Sequence, residues 1–289
     1  MSALLAEKPR NENFPIVTAA SDLEHIAEQF FRFDCVKVEN LVSADKLKYF
    51  RDLCEKMYAD DDARFLCDEI KDPYYLRQYQ NGWIWEDRLR SATNNAFCYS
   101  DIAGCRRLYQ ILDRLMGWDW YAISPSQIRR SAPELRTKHW GSPTTPHFDA
   151  QWGSVDRQFV INVWVPFTSA GRTASSLEFI LSDAATMLDY ARYDPAKPLE
   201  PPGPGGINPR FDYNRMERSE LDKHFTADQY WFPELSPGDV MIFSHWSAHS
   251  TRANPGMTDT RISLEWRVRI PTFDTPTRPI QDAAKIKMF

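Results

Sequence analysis

The feature that most restricts how this chain folds is a change of period. Up to Gly117 the apolar residues recur at three- and four-residue steps; beyond Trp118 they come in short runs punctuated by Pro and Gly. The runs over Trp120 to Arg129, Thr145 to Gln151, Phe159 to Val165, Ser176 to Leu181, Val240 to Phe243, His249 to Thr251 and Arg261 to Ile270 read as strands. So many short strands after a helical start predict a mainly β fold, a sandwich or barrel with helices along one side.

Before the change, residues 1–20 are mixed in charge and interrupted by Pro, and read as an arm. Ser21-Asp22-Leu23-Glu24 has the form of a capping box, so a helix should start there, with Ile26, Phe30 and Phe31 on its buried face. Cys35-Val36-Lys37-Val38 alternates like a strand. Ser43 is placed to cap a second helix carrying Leu47, Phe50, Leu53, Cys54 and Met57, and a third runs from Ile102 to Met116 until Gly117 stops it. Between Ser182 and Leu235 the prolines and glycines around Pro201 to Gly206 are too dense for core strands, and the stretch is too long for a hairpin loop. It is expected to be a lid inserted over a site. At 289 residues the remainder, residues 21–289, fits a single domain.

Composition excludes several partners. A formal net charge of −5 gives no broad basic field for nucleic acid. The five cysteines are odd in number and contain no C-x-x-C pair, so neither a disulfide framework nor a zinc ribbon is indicated. No signal-peptide pattern opens the chain, and no run of about 18 apolar residues occurs. The expectation is a cytoplasmic protein with no membrane partner; its oligomeric state is open.

Two segments carry chemistry. If Thr145 to Gln151 is a strand, then Thr145, His147 and Asp149 share one of its faces, and a single strand delivers an imidazole and a carboxylate to one point. Alone, a H-x-D triplet is as readily a surface hydrogen bond. Downstream, the turn Ser236-Pro237-Gly238-Asp239 leads through the apolar Val240-Met241-Ile242-Phe243 to His245 and His249, either of which offers a third ligand. Two histidines and one carboxylate form the facial triad that holds Fe(II) and leaves positions open. In Arg261-Ile262-Ser263-Leu264-Glu265-Trp266-Arg267-Val268 the odd positions are polar and the even ones apolar. In a sandwich with a wet outer face Arg261 would sit in water. In a barrel with a working lumen, Arg261 and Ser263 would point inward together, a fork and a hydroxyl suited to a carboxylate.

With these residues in place the sequence resembles the phytanoyl-CoA dioxygenase family of Fe(II)- and 2-oxoglutarate-dependent oxygenases. The likeness runs through the H-x-D, the Asn162-Val163-Trp164 strand, the Pro-Gly-Asp turn, His249 with Ser250 after it and Asn254 nearby, and Arg261-x-Ser263, across about residues 33 to 270. It implies a double-stranded β-helix (a cupin-like jelly roll) with Fe(II) on His147, Asp149 and His249. It also implies that Arg261 and Ser263 hold the far carboxylate of 2-oxoglutarate, with Trp164 bordering the cosubstrate and Thr145 touching it. His249 is preferred to His245 because its distance to Arg261 fits the family spacing. The chain departs from the family where Ser175-Ser176-Leu177 stands for the usual Asn-Gly and Leu181-Ser182-Asp183 for the usual Gly-Ser-His.

The implied activity is oxidation by dioxygen of an unactivated C–H bond in a small organic molecule, a natural product or amino-acid-like compound. An intact Asp149 points to hydroxylation, or to desaturation or ring formation, rather than halogenation, because related halogenases carry a small residue there. Gln127, Arg129 and Arg130 precede the H-x-D on a strand from which one of them would reach an acidic substrate group, and Trp140, Trp152, Trp231 and Phe232 offer aromatic walls. Two other readings compete: a cupin-like metal-dependent oxygenase that uses no 2-oxoglutarate, and a non-catalytic β-sandwich binding protein.

Overall fold

A computed structural model describes residues 14–85, 105–117, 120–133, 144–151, 159–194, 196–197 and 210–270. Two sheets face each other. The larger has seven strands in the order β1-β2-β8-β5-β10-β4-β3: Ile16–Thr18, Cys35–Glu39, Val240–Ser244, Val160–Pro166, Arg261–Arg269, Tyr121–Ser131 and Trp83–Trp85. The smaller has the order β7-β6-β9: Tyr230–Trp231, Ser176–Ile180 and His249–Arg252. The fold is a mainly β jelly roll, a double-stranded β-helix with helices flanking it.

Alternation along the strands decides what each face meets. The odd residues Ile161, Val163 and Val165 of β5 and the even residues Ile262, Leu264, Trp266 and Val268 of β10 lie in one core with helices α1 (Leu23–Phe33), α2 (Ala44–Leu66) and α4 (Arg106–Met116). That core covers the outer face of the large sheet. The opposite face looks into the barrel, where Cys35, Trp164, Met241 and Phe243 meet Leu177, Phe179 and Trp231 of the small sheet. Arg261 and Ser263 are on this inner face, each only 2% exposed.

Local chemistry explains the element ends. Helix α1 is capped by Asp22, whose carboxylate accepts from Glu24 N at 2.7 Å. Ser21, the residue expected to cap it, instead accepts from Thr18 N with its hydroxyl. Ser43 precedes α2 without a side-chain capping bond. Of the helix expected from Ile102, residues 106–116 are helical and 102–104 lie outside the described residues. Outside the expected lid, β1, α3 (Pro73–Asn81) and β3 are elements that the sequence pattern did not predict. The turn before β8 is tied down on both sides. Gly238 has φ +107° and its carbonyl accepts from Leu41 N and Val42 N at 2.8 and 3.0 Å. Asp239 accepts from Asn40 N and Ser236 N.

The expected lid divides. Residues 198–209 lie outside the described residues. The rest supplies α5 (Ala184–Tyr190), α6 (Arg218–His224) and β7, packed behind the small sheet in a core with Phe148, Ile180, Trp246 and Ala248. Arg218 fastens α6 to β6 by a 2.6 Å bond to Glu178. Within the expected arm, residues 16–18 form β1, parallel to β2. Among the described residues no helix is long and apolar enough to cross a membrane.

Candidate active site

The segment from Thr145 to Gln151 is not the strand its alternation predicts. Only His147 pairs, as an isolated bridge to His249 with N–H···O bonds of 2.9 and 3.0 Å in both directions, and Asp149–Gln151 is a 3₁₀ turn. The cause is tertiary: Ala150 N donates to His245 O at 3.0 Å, which curls the chain away from β9. The ligands still converge. One ligating atom from each of His147, Asp149 and His249 lies within 4.8 Å of the others. His147 Nε2 is 3.7 Å from Asp149 Oδ1, and the two imidazole centroids are 4.4 Å apart.

Hydrogen bonds set the tautomers. His147 Nδ1 is 2.7 Å from Thr145 O and His249 Nδ1 is 3.0 Å from Ser247 O. A carbonyl can only accept, so in each neutral ring the proton sits on Nδ1 and the Nε2 lone pair is free for a metal. Burial, reinforced by the charge of His249, pulls the His147 pKa down to about 4. Burial lowers His249 as well. For Asp149 burial acts upward, but Arg267 and the two histidines outweigh it and hold the carboxyl well below the usual range. At neutral pH the site therefore presents two neutral imidazoles and one carboxylate. This donor set fits a first-row divalent ion with open coordination positions.

These shifts predict an acid sensitivity in metal-free protein. A histidine with a lowered folded pKa leaves the unfolded chain to bind the proton first, so stability is full above about 6.5 and declines as pH falls toward about 4. The urea midpoint should drop between about pH 7.5 and 5, and drop less in His147→Gln. Equal slopes in the two proteins would show that folding does not hold this ring neutral.

The other expected site residues divide by face. Arg261, Ser263 and Trp164 are buried on the inner face of the large sheet, with the Arg261 guanidinium carbon 5.5 Å from the Trp164 ring centroid. Thr145 has an exposed side chain and touches the site through its carbonyl. His245 is wholly buried, bonded to the backbone of Val160 and outside the group that could hold a metal, so of the two histidines it is His249 that the structure brings to His147 and Asp149. His25 pairs with Glu28, and His224 is exposed against Tyr190. His139, Trp140 and Trp152 lie outside the described residues. Arg130 faces outward, bonded twice to Asp62 at 2.7 Å, whereas Arg129 pairs directly with Ser263 across β4 and β10 and so faces the lumen. Trp231 belongs to the inner core, and Phe232 lies under Arg252.

Three residues beside the candidate ligands were given no role by the sequence. Arg267 donates to Asp149 Oδ2 from Nη2 at 3.0 Å and from Nε at 3.3 Å, and Glu265 pairs with the same guanidinium at 2.6 Å. Both continue the alternation of Arg261 and Ser263 along β10, which was the available signal. Asn162 is wholly buried on β5, and neither of its amide atoms has a hydrogen-bond partner among the described residues. It sits between Phe243, which packs on His249, and Arg267, which bonds Asp149.

No family model matches the chain, and no curated protein matches it in sequence. Solved structures do match. The epimerase SnoN, in complex with Fe3+, alpha ketoglutarate and a nogalamycin compound, aligns at a TM-score of 0.57 and 15% identity over 92% of this chain and 90% of that one. EctD from S. alaskensis, with 2-oxoglutarate and 5-hydroxyectoine, aligns at 0.58 and 15% over 88% and 77%. SnoK, a non-heme alpha ketoglutarate dependent carbocyclase from nogalamycin biosynthesis, aligns at 0.56 and 15% over 94% and 93%. At such identities the likeness establishes the architecture: the chain has the double-stranded β-helix on which these non-heme, alpha ketoglutarate dependent enzymes are built.

Proposed function

We propose that this protein is an Fe(II)- and 2-oxoglutarate-dependent dioxygenase that hydroxylates an unactivated C–H bond of a small organic molecule. The observation that carries the reading is the joint placement of the His147-Asp149-His249 group and the buried Arg261 inside one barrel. The metal and 2-oxoglutarate, when bound with dioxygen, supply the oxidising chemistry. The chain's residues supply the rest. His147, Asp149 and His249 hold the metal. Arg261 and Ser263, deeper on β10, take the far carboxylate of the cosubstrate, and Trp164 walls it on one side. Thr145 contributes its carbonyl, which fixes the His147 ring. Arg129, on the lumen face, is placed to meet an acidic group of the substrate.

SnoN, SnoK and EctD, with a nogalamycin compound, nogalamycin biosynthesis and 5-hydroxyectoine in their descriptions, favour a natural product or amino-acid-like compound as the substrate class. Cys35, Cys54, Cys67 and Cys105 are free thiols, which fits a reducing cytoplasm.

Anaerobic addition of Fe(II) and 2-oxoglutarate should produce a weak visible charge-transfer band that is absent in His147→Ala. No band in the parent protein, or one unchanged in the variant, would remove the assignment. Turnover should release succinate only when 2-oxoglutarate is supplied; oxidation that proceeds without it would favour the cupin-like alternative.

A further inference from the structure

Resting on the metal-site reading above, we infer that Arg267 is a positioning residue that keeps a second carboxylate, Glu265, off the metal and so preserves the open coordination positions. Arg267 spends both Nη2 and Nε on the single oxygen Oδ2 of Asp149, at 3.0 and 3.3 Å. That leaves Oδ1 turned toward His147 Nε2, 3.7 Å away. The same Nη2 holds Glu265 Oε1 at 2.6 Å. The two carboxylates therefore lie no further apart than these two bonds laid end to end, with the guanidinium between them. Glu265 nonetheless stays outside the group of mutually close ligand atoms, which contains only His147, Asp149 and His249 among the described residues.

A facial triad works because it has three protein donors and no more. A dication with hard character binds further carboxylate oxygens readily, so a nearby acid on a site-facing strand is a hazard to it. Glu265 is such an acid: it lies on the inner face of β10, partly exposed, and its charge reaches His147. Arg267 neutralises it, and by occupying Oδ2 also discourages chelation by both oxygens of Asp149. An arginine suits this place because its planar fork serves two carboxylates at once and does not deprotonate.

The test is Co(II) binding to the purified full-length protein, followed by visible absorption. Removing an ordinary supporting partner of a metal ligand costs roughly 10- to 100-fold in affinity. Here the opposite sign is expected: Arg267→Gln should bind Co(II) at least as tightly as the parent. Its band shape should change, because the coordination shell has gained an oxygen. Arg267→Gln with Glu265→Gln should return the band to the parent shape, and Arg267→Lys, which keeps the charge without the fork, should change it less than Arg267→Gln does. Circular dichroism verifies folding in each case. An Arg267→Gln spectrum identical to the parent's, or a loss of affinity that the second substitution does not relieve, overturns the inference. Absence of Co(II) binding in the parent itself would sink the metal site as a whole and is distinguishable from either result.

Discussion

Arg261→Ala is expected to raise the 2-oxoglutarate concentration needed for half-saturation by roughly 30-fold to several thousand-fold, with iron affinity nearly unchanged. The residue is 2% exposed, fixed over Trp164, and lies on the inner face of β10 beside Ser263. Arginine retains its charge inside proteins, and its planar fork beside the Ser263 hydroxyl suits a carboxylate. Truncating one partner of a buried, hydrogen-bonded charge pair costs about 2–5 kcal/mol, with tenfold for every 1.4 kcal/mol. Iron affinity is spared because the ligating atoms that converge are those of His147, Asp149 and His249. Arg261→Lys should fall between the two, since an ammonium supplies charge without the bidentate fork. The measurement is the charge-transfer band titrated with 2-oxoglutarate at saturating Fe(II), which separates cosubstrate binding from turnover. Unaltered cosubstrate dependence in Arg261→Ala would take this residue out of the assignment.

What could be read in advance follows from how local each cause is. The alternation of β10 is a local pattern, and burial of both faces by different cores preserved it, so the inward turn of Arg261 and Ser263 was legible. The same pattern already pointed Glu265 and Arg267 inward. The Asp149 that Arg267 bonds lies far away in the chain, and nothing in the segment itself names it. The segment around His147 shows the limit from the other side. Its period of two was genuine, yet a single bond from Ala150 N to His245 O overrode it and made a 3₁₀ turn. The choice between His245 and His249 was likewise tertiary, settled by the bonds of His245 to Val160. Helix α3 is a different kind of omission. Asp72 accepts from Tyr74 N and Tyr75 N, and Pro73 opens the helix, so the Asp-Pro start was a usable signal.

Asp239→Ala should cost about 3 kcal/mol of folding stability, by analogy with other broken buried ion pairs, while leaving metal affinity in the folded protein unchanged. The Pro-Gly-Asp turn looks like part of the catalytic signature because it precedes His249, but its contacts are structural. Asp239 is 4% exposed and joins three segments: Oδ1 accepts from Asn40 N at 3.1 Å, and Oδ2 accepts from Ser236 N at 2.9 Å and pairs with Lys37 Nζ at 3.2 Å. Asn40 itself has φ +55°, a left-handed conformation that is sparsely populated outside glycine. Removing the carboxylate strands the buried Lys37 ammonium with only Glu39 and the Glu234 carbonyl as partners. Because those two remain, the loss belongs at the lower end of the range for such pairs. Asp239→Asn keeps an acceptor for one backbone N–H and should lose less, about 1–2 kcal/mol. Urea unfolding followed by far-ultraviolet circular dichroism measures both, with Co(II) titration of the folded variants as the control. If Asp239→Ala loses under about 1 kcal/mol, the two bonds to the Gly238 carbonyl suffice to hold the turn, and the acid is dispensable to the joint between β2, α2 and β8.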